Sequence, residues 1–143
     1  MSEAGRGRLV AGKTEKVCLS FTIPSLPPSS NSLYNVLFRL RRVELKPEAR
    51  LWKSRAKEFT PPFKVGASDW VDVSIILSGN WLSKEGKIRK VDVTNREKLI
   101  LDAICEKQGW DDSQVWCRRI CKSQDVKKEF VSITLMLSDG ILS

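Results

Sequence analysis

The rest of the chain is expected to be arranged around one segment, which begins with Arg89-Lys-Val-Asp-Val-Thr-Asn-Arg-Glu-Lys98. It continues with Leu99–Gly109 and ends with Trp110-Asp-Asp-Ser-Gln-Val115. It gathers acids, amides and cations around one predicted helix. One aspartate, Asp92, lies before that helix, and two more follow its closing glycine. Hard divalent cations bind carboxylate and phosphate oxygens together, so carboxylates beside phosphate-attracting cations indicate a magnesium site.

The helix within this segment is predicted from its ends as well as from its apolar spacing. Thr94 is typical of an N-cap, and Glu97, three residues later, completes a capping box. The helix is expected to run to about Lys107 and to close at Gly109, because glycine is favoured after a last helical turn. Its buried stripe is expected to consist of Leu99, Ile100, Ala103 and Ile104.

Hydrophobic periodicity predicts the scaffold on either side of this helix. A second helix is expected to begin at Pro47 and to end before Pro61-Pro62. Its core-facing residues are expected to be Ala49, Trp52, Ala56 and Phe59. The pattern in residues 33–45 favours a strand or an extended DNA-facing arm over a helix. Clear strands are predicted at residues 17–23, 70–77, 115–122 and 129–137.

This order of elements predicts an α/β (α+β) fold, a small mixed four-stranded sheet flanked by two helices. The last two strands, joined by residues 123–128, are expected to form a hairpin. Residues 1–15 lack periodicity and are expected to be a flexible tail, with residues 16–143 forming a single domain. The sequence shows no membrane-length apolar run and no apolar secretory core, so a cytoplasmic location is expected.

The chain carries a net charge of +8, and its basic residues cluster. Nine basic residues and only three acidic ones lie between Arg39 and Lys64. This clustering favours a polyanionic partner, of which nucleic acid is the commonest, although a solvated basic face is the plainer alternative. The basic segment lacks the continuous apolar face of a membrane-surface helix, so no membrane partner is expected. No small-molecule substrate is expected either.

The chain contains no histidine and four cysteines. The lack of histidine excludes Ser-His-Asp and Cys-His catalysis and histidine metal sites, so carboxylates, lysine and metal are left to supply any chemistry. Cys117 and Cys121 have no partnering CxxC motif, which disfavours a zinc site. Four residues apart on a strand they point to one face, and both are expected to be buried thiols.

Two motifs resemble those of the RusA family of Holliday-junction resolvases, small dimeric nucleases common in phages and bacteria. Leu26-Pro-Pro-Ser-Ser-Asn-Ser-Leu-Tyr34 is similar to the family's Pro-Pro-Ser-x-Asn-x-x-Tyr loop. Asp92-Val-Thr-Asn-Arg-Glu-Lys98, Asp102-Ala103 and Asp111-Asp-Ser-Gln-Val115 resemble the pattern Asp-x-Asp-Asn-x-x-Lys, Asp-Ala, Asp-Asp-x-Gln-Val. The order of elements also fits from about Val17 to Leu137.

The resemblance implies a RusA-like fold, a two-fold homodimer and one active site per subunit. By position, Asp92 and Asp112 match metal-binding aspartates, with Asp111 as a further candidate ligand, and Lys98 matches the catalytic lysine. The cofactor is expected to be Mg²⁺, with Mn²⁺ as an alternative. Supporting positions are Thr94, Asn95 and Asn31, and the expected DNA contacts are Arg39, Arg41, Arg42, Lys87, Arg89, Lys90 and Arg96.

One position departs from the family pattern, because the second family aspartate falls on Thr94. A neutral hydroxyl is a weaker magnesium ligand than a carboxylate, which predicts weaker ion binding. Either the remaining acids and water suffice, or cleavage is impaired. The capping box gives a structural reason for a threonine here, worth about 1 kcal/mol of helix stability.

Each candidate residue also has a purely structural interpretation. Asp92 is favourable near a helix N-terminus, and Asp111 and Asp112 suit a turn. Lys98 and Asp102 are spaced as a surface ion pair, and Asp102 is expected to be structural. Trp110 and Trp116 are expected in the core or an interface rather than as base-stacking platforms, and Asn31 either fixes its loop or reaches the active centre.

The sequence therefore predicts a magnesium-dependent, structure-selective endodeoxyribonuclease that nicks four-way DNA junctions symmetrically as a dimer, in recombination and repair. The alternative is a catalytically impaired protein that binds branched DNA, and a general RNA-binding domain is a third possibility. Phosphate contacts position DNA without reading its sequence, so no base preference is predicted.

Overall fold

The structure is a computed structural model that describes residues 6–10, 15–28, 34–37, 42–88 and 94–138 of the 143-residue chain. Four strands come first, two helices then alternate with the fifth and sixth strands, and a seventh strand follows. The elements are β1 (Arg6–Val10), β2 (Glu15–Ile23), β3 (Tyr34–Leu37), β4 (Arg42–Leu45), α1 (Pro47–Phe59), β5 (Trp70–Gly79), α2 (Thr94–Gln108), β6 (Val115–Gln124) and β7 (Phe130–Ser138).

The main sheet has the strand order β1-β2-β7-β5-β6. Only the β5–β6 pair within it is parallel, so the sheet is mixed. Parallel neighbours require a long crossover, and α2 supplies it between β5 and β6. The mixed sheet with its two helices confirms the predicted α+β fold class, and the four predicted strands are β2, β5, β6 and β7.

A fifth strand, β1, lies within the segment expected to be a flexible tail. It pairs antiparallel with β2, from Arg6↔Leu19 to Val10↔Glu15. The N–H and C=O groups along the outer edge of β2 offer partners to any neighbouring extended segment. Such pairing depends on backbone groups, which a search for side-chain periodicity does not detect.

The core lies between the sheet and the two helices. Alternate residues of β5, namely Val71, Val73, Ile75 and Leu77, are buried, and the same alternation in β7 buries Val131, Ile133 and Leu135. The helix α2 covers them with the stripe that the sequence predicted, because Leu99, Ile100, Ala103 and Ile104 are all fully buried. Its closing glycine, Gly109, has φ +75°, a conformation that favours glycine at a helix end.

The helix α1 confirms the predicted bounds, beginning at Pro47 and ending before Pro61-Pro62. Three of its predicted core residues are buried, but Phe59 is 47% exposed, so that prediction was wrong. Helical spacing aligns Thr60 rather than Phe59 with Ala56, and the Thr60 hydroxyl donates a 2.7 Å hydrogen bond to the Ala56 carbonyl. Phe63, beyond the helix, is buried in the core instead.

The segment of ambiguous pattern contains two strands rather than one. Here β3 and β4 form a separate antiparallel ribbon, paired from Tyr34↔Leu45 to Leu37↔Arg42. The favoured prediction of extended structure is confirmed for these residues. Residues 38–41, including the cations Arg39 and Arg41, lie outside the described part of the chain.

The predicted hairpin between β6 and β7 was wrong. The two strands lie on opposite sides of β5, and β7 pairs with both β2 and β5. A connection of five residues suits a hairpin, but β7 gains ladders on both of its edges by inserting between β2 and β5. The connection is anchored to β5 itself, because the Asp125 N–H donates a 2.8 Å hydrogen bond to the Gly79 carbonyl.

The burial of several side chains also differs from expectation. Cys117 and Cys121 are exposed rather than buried, because β6 is an edge strand, whereas Cys105 is buried. Trp110 packs against the core as predicted, with its ring edge-on to Phe63 at 6.0 Å. Trp116 is 45% exposed and so lies outside the core, and its alternative place in an interface stays a prediction. No helix in the described part of the chain is long and apolar enough to cross a bilayer.

Candidate functional site

The outward face of α2 carries a row of charged residues. Lys98, Asp102 and Glu106 follow one another at four-residue spacing, opposite the buried stripe. Residues four apart are neighbours on a helix surface, so this spacing places the three charges in one line. The line begins near the helix N-terminus and runs toward the turn that precedes β6.

The last member of this row is held by α1. Glu106 pairs with Lys53 and, at 2.6 Å between Nζ and Oε1, with Lys57. Burial opposes ionisation of the Glu106 carboxyl, but the hydrogen bonds and charges of the two lysines outweigh it and lower its pKa. The pairing brings the cations of α1 alongside the charged face of α2.

Asp102, in the middle of the row, lies among charges of both signs. Partial burial raises the pKa of its carboxyl, the positive charges of Lys53 and Lys98 oppose the rise, and the negative charges of Glu106 and Asp112 add to it. Asp102 is thus close enough to Lys98 and to Asp112 to interact electrostatically with each of them. Two residues that the sequence singled out, Lys98 and Asp112, therefore each act on the charge of a third, Asp102, which it assigned to structure.

The neighbouring acids Asp111 and Asp112 have different surroundings. Asp111 caps the short 3₁₀ turn Asp112–Gln114: its Oδ1 accepts a 2.9 Å hydrogen bond from the Ser113 N–H, while its own N–H donates to Gln114 Oε1 at 3.2 Å. The hydrogen bonds from Ser113 lower the pKa of the Asp111 carboxyl. Gln114 in turn donates to the carbonyls of Gly66 and Asp69, which fixes the turn to the rest of the domain.

Asp112 faces an open cleft between α2 and the start of β6. The cleft has a volume of about 450 Å³ and is lined by Leu101, Cys105, Asp112, Ser113, Val115, Trp116 and Arg118. Burial, and then the negative charges of Asp112 and Asp102, raise the pKa of the Cys105 thiol to about 11. The thiol is therefore protonated at neutral pH and is no nucleophile, so the ionic chemistry available here belongs to Asp112 and Arg118.

The side chains of two of the predicted DNA contacts are described, and they differ in exposure. Lys87 is exposed in the connection after β5, where its backbone N–H donates to Ser83 Oγ at 3.1 Å. Arg96 is half-buried, with its guanidinium 5.7 Å from the centre of the Trp81 ring, and Lys122 approaches the same ring at 5.2 Å. Arg96 therefore packs against Trp81, whereas the Lys87 side chain is open to solvent.

Several predicted site residues fall outside the part of the chain that the structure describes. These are Asn31, Arg39, Arg41, Arg89, Lys90 and Asp92. For Thr94, Asn95 and Arg42 the backbone alone is described: Thr94 and Asn95 open α2, and Arg42 opens β4. The predicted meeting of Asp92 with Asp112 thus concerns a residue that is not described.

The described donor set suits a hard cation in part. The negative charge of Asp112 is one of the causes that raise the pKa of the Asp102 carboxyl, and a divalent cation would relieve this repulsion. Magnesium often binds through one or two carboxylates, with water and phosphate completing its shell. Within the described ranges, no group of three or more His, Cys, Asp or Glu side chains is arranged to hold a metal. Carboxylate oxygens are the donor type that such a site requires, and the described residues provide no all-protein cage.

Sequence reasoning missed Asp102, Trp116 and Arg118 as site residues. Asp102 carried a usable signal, since it lies one helical turn after Lys98. Trp116 and Arg118 reach the cleft only because β6 is an edge strand beside the end of α2, a property of the tertiary fold.

The sequence matches no protein-family model and shows no significant similarity to a curated protein.

Proposed function

We propose that this chain is a metal-dependent endonuclease that nicks branched DNA, with four-way junctions as its preferred substrate and the cytoplasm as its place of action. One observation carries the proposal: the carboxyl of Asp102 lies within electrostatic reach of both Lys98 and Asp112, and Asp112 lines the cleft. A cation beside paired carboxylates is the arrangement that phosphodiester hydrolysis requires. The net charge of +8 supports a polyanionic substrate.

In this proposal Asp112 and Asp102 hold a Mg²⁺ or Mn²⁺ ion, with Asp92 as the expected third ligand. When bound, such an ion supplies charge neutralisation at a phosphate and acidifies a coordinated water. Asp111 remains ionised and keeps the turn in place, because its carboxylate accepts hydrogen bonds from Ser113. That rigidity orients the neighbouring Asp112 toward the cleft.

The cations of the site have separate roles. Lys98 stabilises negative charge that develops on the attacked phosphate, because its ammonium group lies beside Asp102. Arg118, on the cleft wall, holds an adjacent phosphate. The other predicted DNA contacts, including Lys87, Arg89 and the cluster from Arg39, grip the arms of the junction without reading their sequence.

The resemblance to RusA resolvases supports the choice of a junction and of a homodimer. Two copies related by a two-fold axis present two equivalent sites, which matches the symmetry of a four-way junction. Symmetric nicking then requires one active site in each subunit.

A second candidate function is binding of branched DNA without cleavage. It is favoured by Thr94, which opens α2 where the family pattern has an aspartate, and by the two-carboxylate donor set within the described ranges. The substitution Thr94→Asp separates the two functions. Under the binding hypothesis the native chain is inert in saturating Mg²⁺ and the Thr94→Asp variant acquires cleavage.

The adjacent acids offer a matched test of the nuclease. We expect Asp112→Asn to lower the rate of nicking of a synthetic four-way junction by at least about 100-fold, because it removes a metal-binding charge. Asp111→Asn, one residue away in the cap, is the control and is expected to retain most activity. Nicking is measured with and without Mg²⁺ at fixed salt, since salt alters DNA affinity. Wild-type rates in Asp112→Asn would refute the proposed site.

A further inference from the structure

Two tryptophans form an exposed stacked pair at the end of the sheet where β5 and β6 begin. The rings of Trp70 and Trp116 lie 4.5 Å apart between centroids, with an interplanar angle of 18°. Trp70 is 40% exposed and Trp116 is 45% exposed, and neither belongs to the buried core. The pair therefore presents aromatic surface to solvent, where burial does not explain its presence.

The backbone positions this pair beside the candidate active site. The β5–β6 register shifts between Val71 and Asp72, so that Val71 pairs with Val115 while Asp72 pairs with Cys117. Trp116 is the additional residue at this bulge, and bulges redirect the side chains that they carry. Trp116 also lines the Asp112 cleft, which places the pair at its rim.

The charge of β6 indicates what kind of molecule this surface accepts. The strand carries Arg118, Arg119 and Lys122 and contains no acidic residue. It is also an edge strand, with β5 as its neighbour in the main sheet. A second copy docked edge to edge on β6 would oppose these like charges, whereas a polyanion would be attracted to them.

We propose that the Trp70–Trp116 pair is a stacking platform for an unpaired nucleobase, held at the rim of the Asp112 cleft. An indole face binds a base of any identity, and cations beside it hold the flanking phosphates, as in other single-strand sites. Arg118 satisfies the second requirement because it lines the same cleft. The bases of an intact duplex are stacked on each other and cannot reach such a platform.

This inference rests on the proposed function for its substrate and adds a feature to it. A branch point supplies bases whose stacking is interrupted, so stacking on Trp116 would draw the strand at the branch toward Asp112. The chain is then expected to select DNA with unpaired bases over continuous duplex, independently of its sequence.

The test measures binding in EDTA, where no cleavage occurs. Labelled oligothymidylate of about 12 nucleotides and a duplex of equal length are titrated by fluorescence anisotropy at one salt concentration. We expect Trp116→Ala to weaken oligothymidylate binding about tenfold and to change duplex binding little. Trp116→Phe, which keeps a ring, is expected to recover most of the affinity, and Phe59→Ala, an exposed aromatic on α1, to match wild type.

Three results would overturn the platform: equal oligothymidylate binding by wild type and Trp116→Ala, an equal loss for duplex, or a wild-type dimer that Trp116→Ala dissociates without changing DNA affinity. Trp70→Ala repeats the test from the other ring if Trp116→Ala unfolds. The nuclease is judged separately by junction nicking in Mg²⁺. If DNA binding depends on Trp116 but no nicking occurs, the stacking platform is supported and the nuclease is refuted. If nicking occurs and DNA binding does not depend on Trp116, the nuclease is supported and the platform is refuted.

Discussion

The strands β5 and β6 are neighbours in one sheet, yet they differ in the burial of their side chains and in the number of strands that flank them. They run parallel and in register from Asp72↔Cys117 to Gly79↔Gln124. Alternate residues of β5 are buried, but none of the ten residues of β6 is, and the structure describes them all. The difference comes from position, because β5 lies between two strands and β6 has one.

The two strands therefore have different roles: β5 contributes to the stability of the core, and β6 contributes side chains to the candidate site. The buried side chains of β5 lie under α2 and contribute to the core. The start of β6 instead contributes Trp116 and Arg118 to the cleft that Asp112 faces. An exposed edge strand adds little apolar burial, and for that reason its side chains remain available to a ligand.

The largest effect is expected from shortening one member of a cross-strand pair of isoleucines. Ile75 in β5 is fully buried, and its partner Ile120 in β6 is half-buried. Ile75→Ala should lower the free energy of unfolding by about 2–5 kcal/mol, through lost apolar burial and a residual cavity. Ile120→Ala should cost about 1 kcal/mol, because only part of its surface leaves water. Urea denaturation measures both, and equal losses would contradict the contrast.

The thiols give a second comparison between core and edge. Cys117 and Cys121 on β6 are exposed, whereas Cys105 is buried beside the cleft and its pKa is raised to about 11. At neutral pH a thiol reagent should modify the two β6 cysteines at least about 100-fold faster than Cys105, since reaction needs an accessible thiolate. Mass spectrometry of peptides after timed labelling identifies the modified residue. Rapid labelling of Cys105 in the folded chain would place it at the surface.

The same contrast between local and nonlocal contacts explains which parts of the fold could be predicted from the sequence. The position of α2 was predictable because its apolar stripe and its closing Gly109 act locally, whereas the predicted cap at Thr94 stays a prediction. The hairpin of β6 with β7 was a wrong prediction, because strand order is set by nonlocal ladders that a short connection does not reveal.

The candidate site was predictable to a similar extent. Lys98 and Asp112 were predicted from motif spacing, and the charges of both act on the Asp102 carboxyl. Lys53 reaches Glu106, and Trp116 and Arg118 reach the cleft, because of how α1 and β6 pack beside α2. No local sequence pattern predicts these positions. Residues that act through tertiary proximity are the ones that sequence reasoning misses here.

The smallest effect is expected at the charged surface between α1 and α2. Glu106→Gln removes the pairs with Lys53 and Lys57, and because these groups are partly exposed it should cost only about 0.2–1 kcal/mol. The pairs lower the pKa of Glu106, so their contribution is complete above the carboxyl's ordinary pKa and disappears as the pH falls through the lowered value. Wild type and Glu106→Gln should therefore differ in unfolding free energy at neutral pH and converge in acid, with Glu58→Gln as the control for loss of an exposed charge. A difference that persists or grows in acid would assign the effect to packing rather than to the ion pairs.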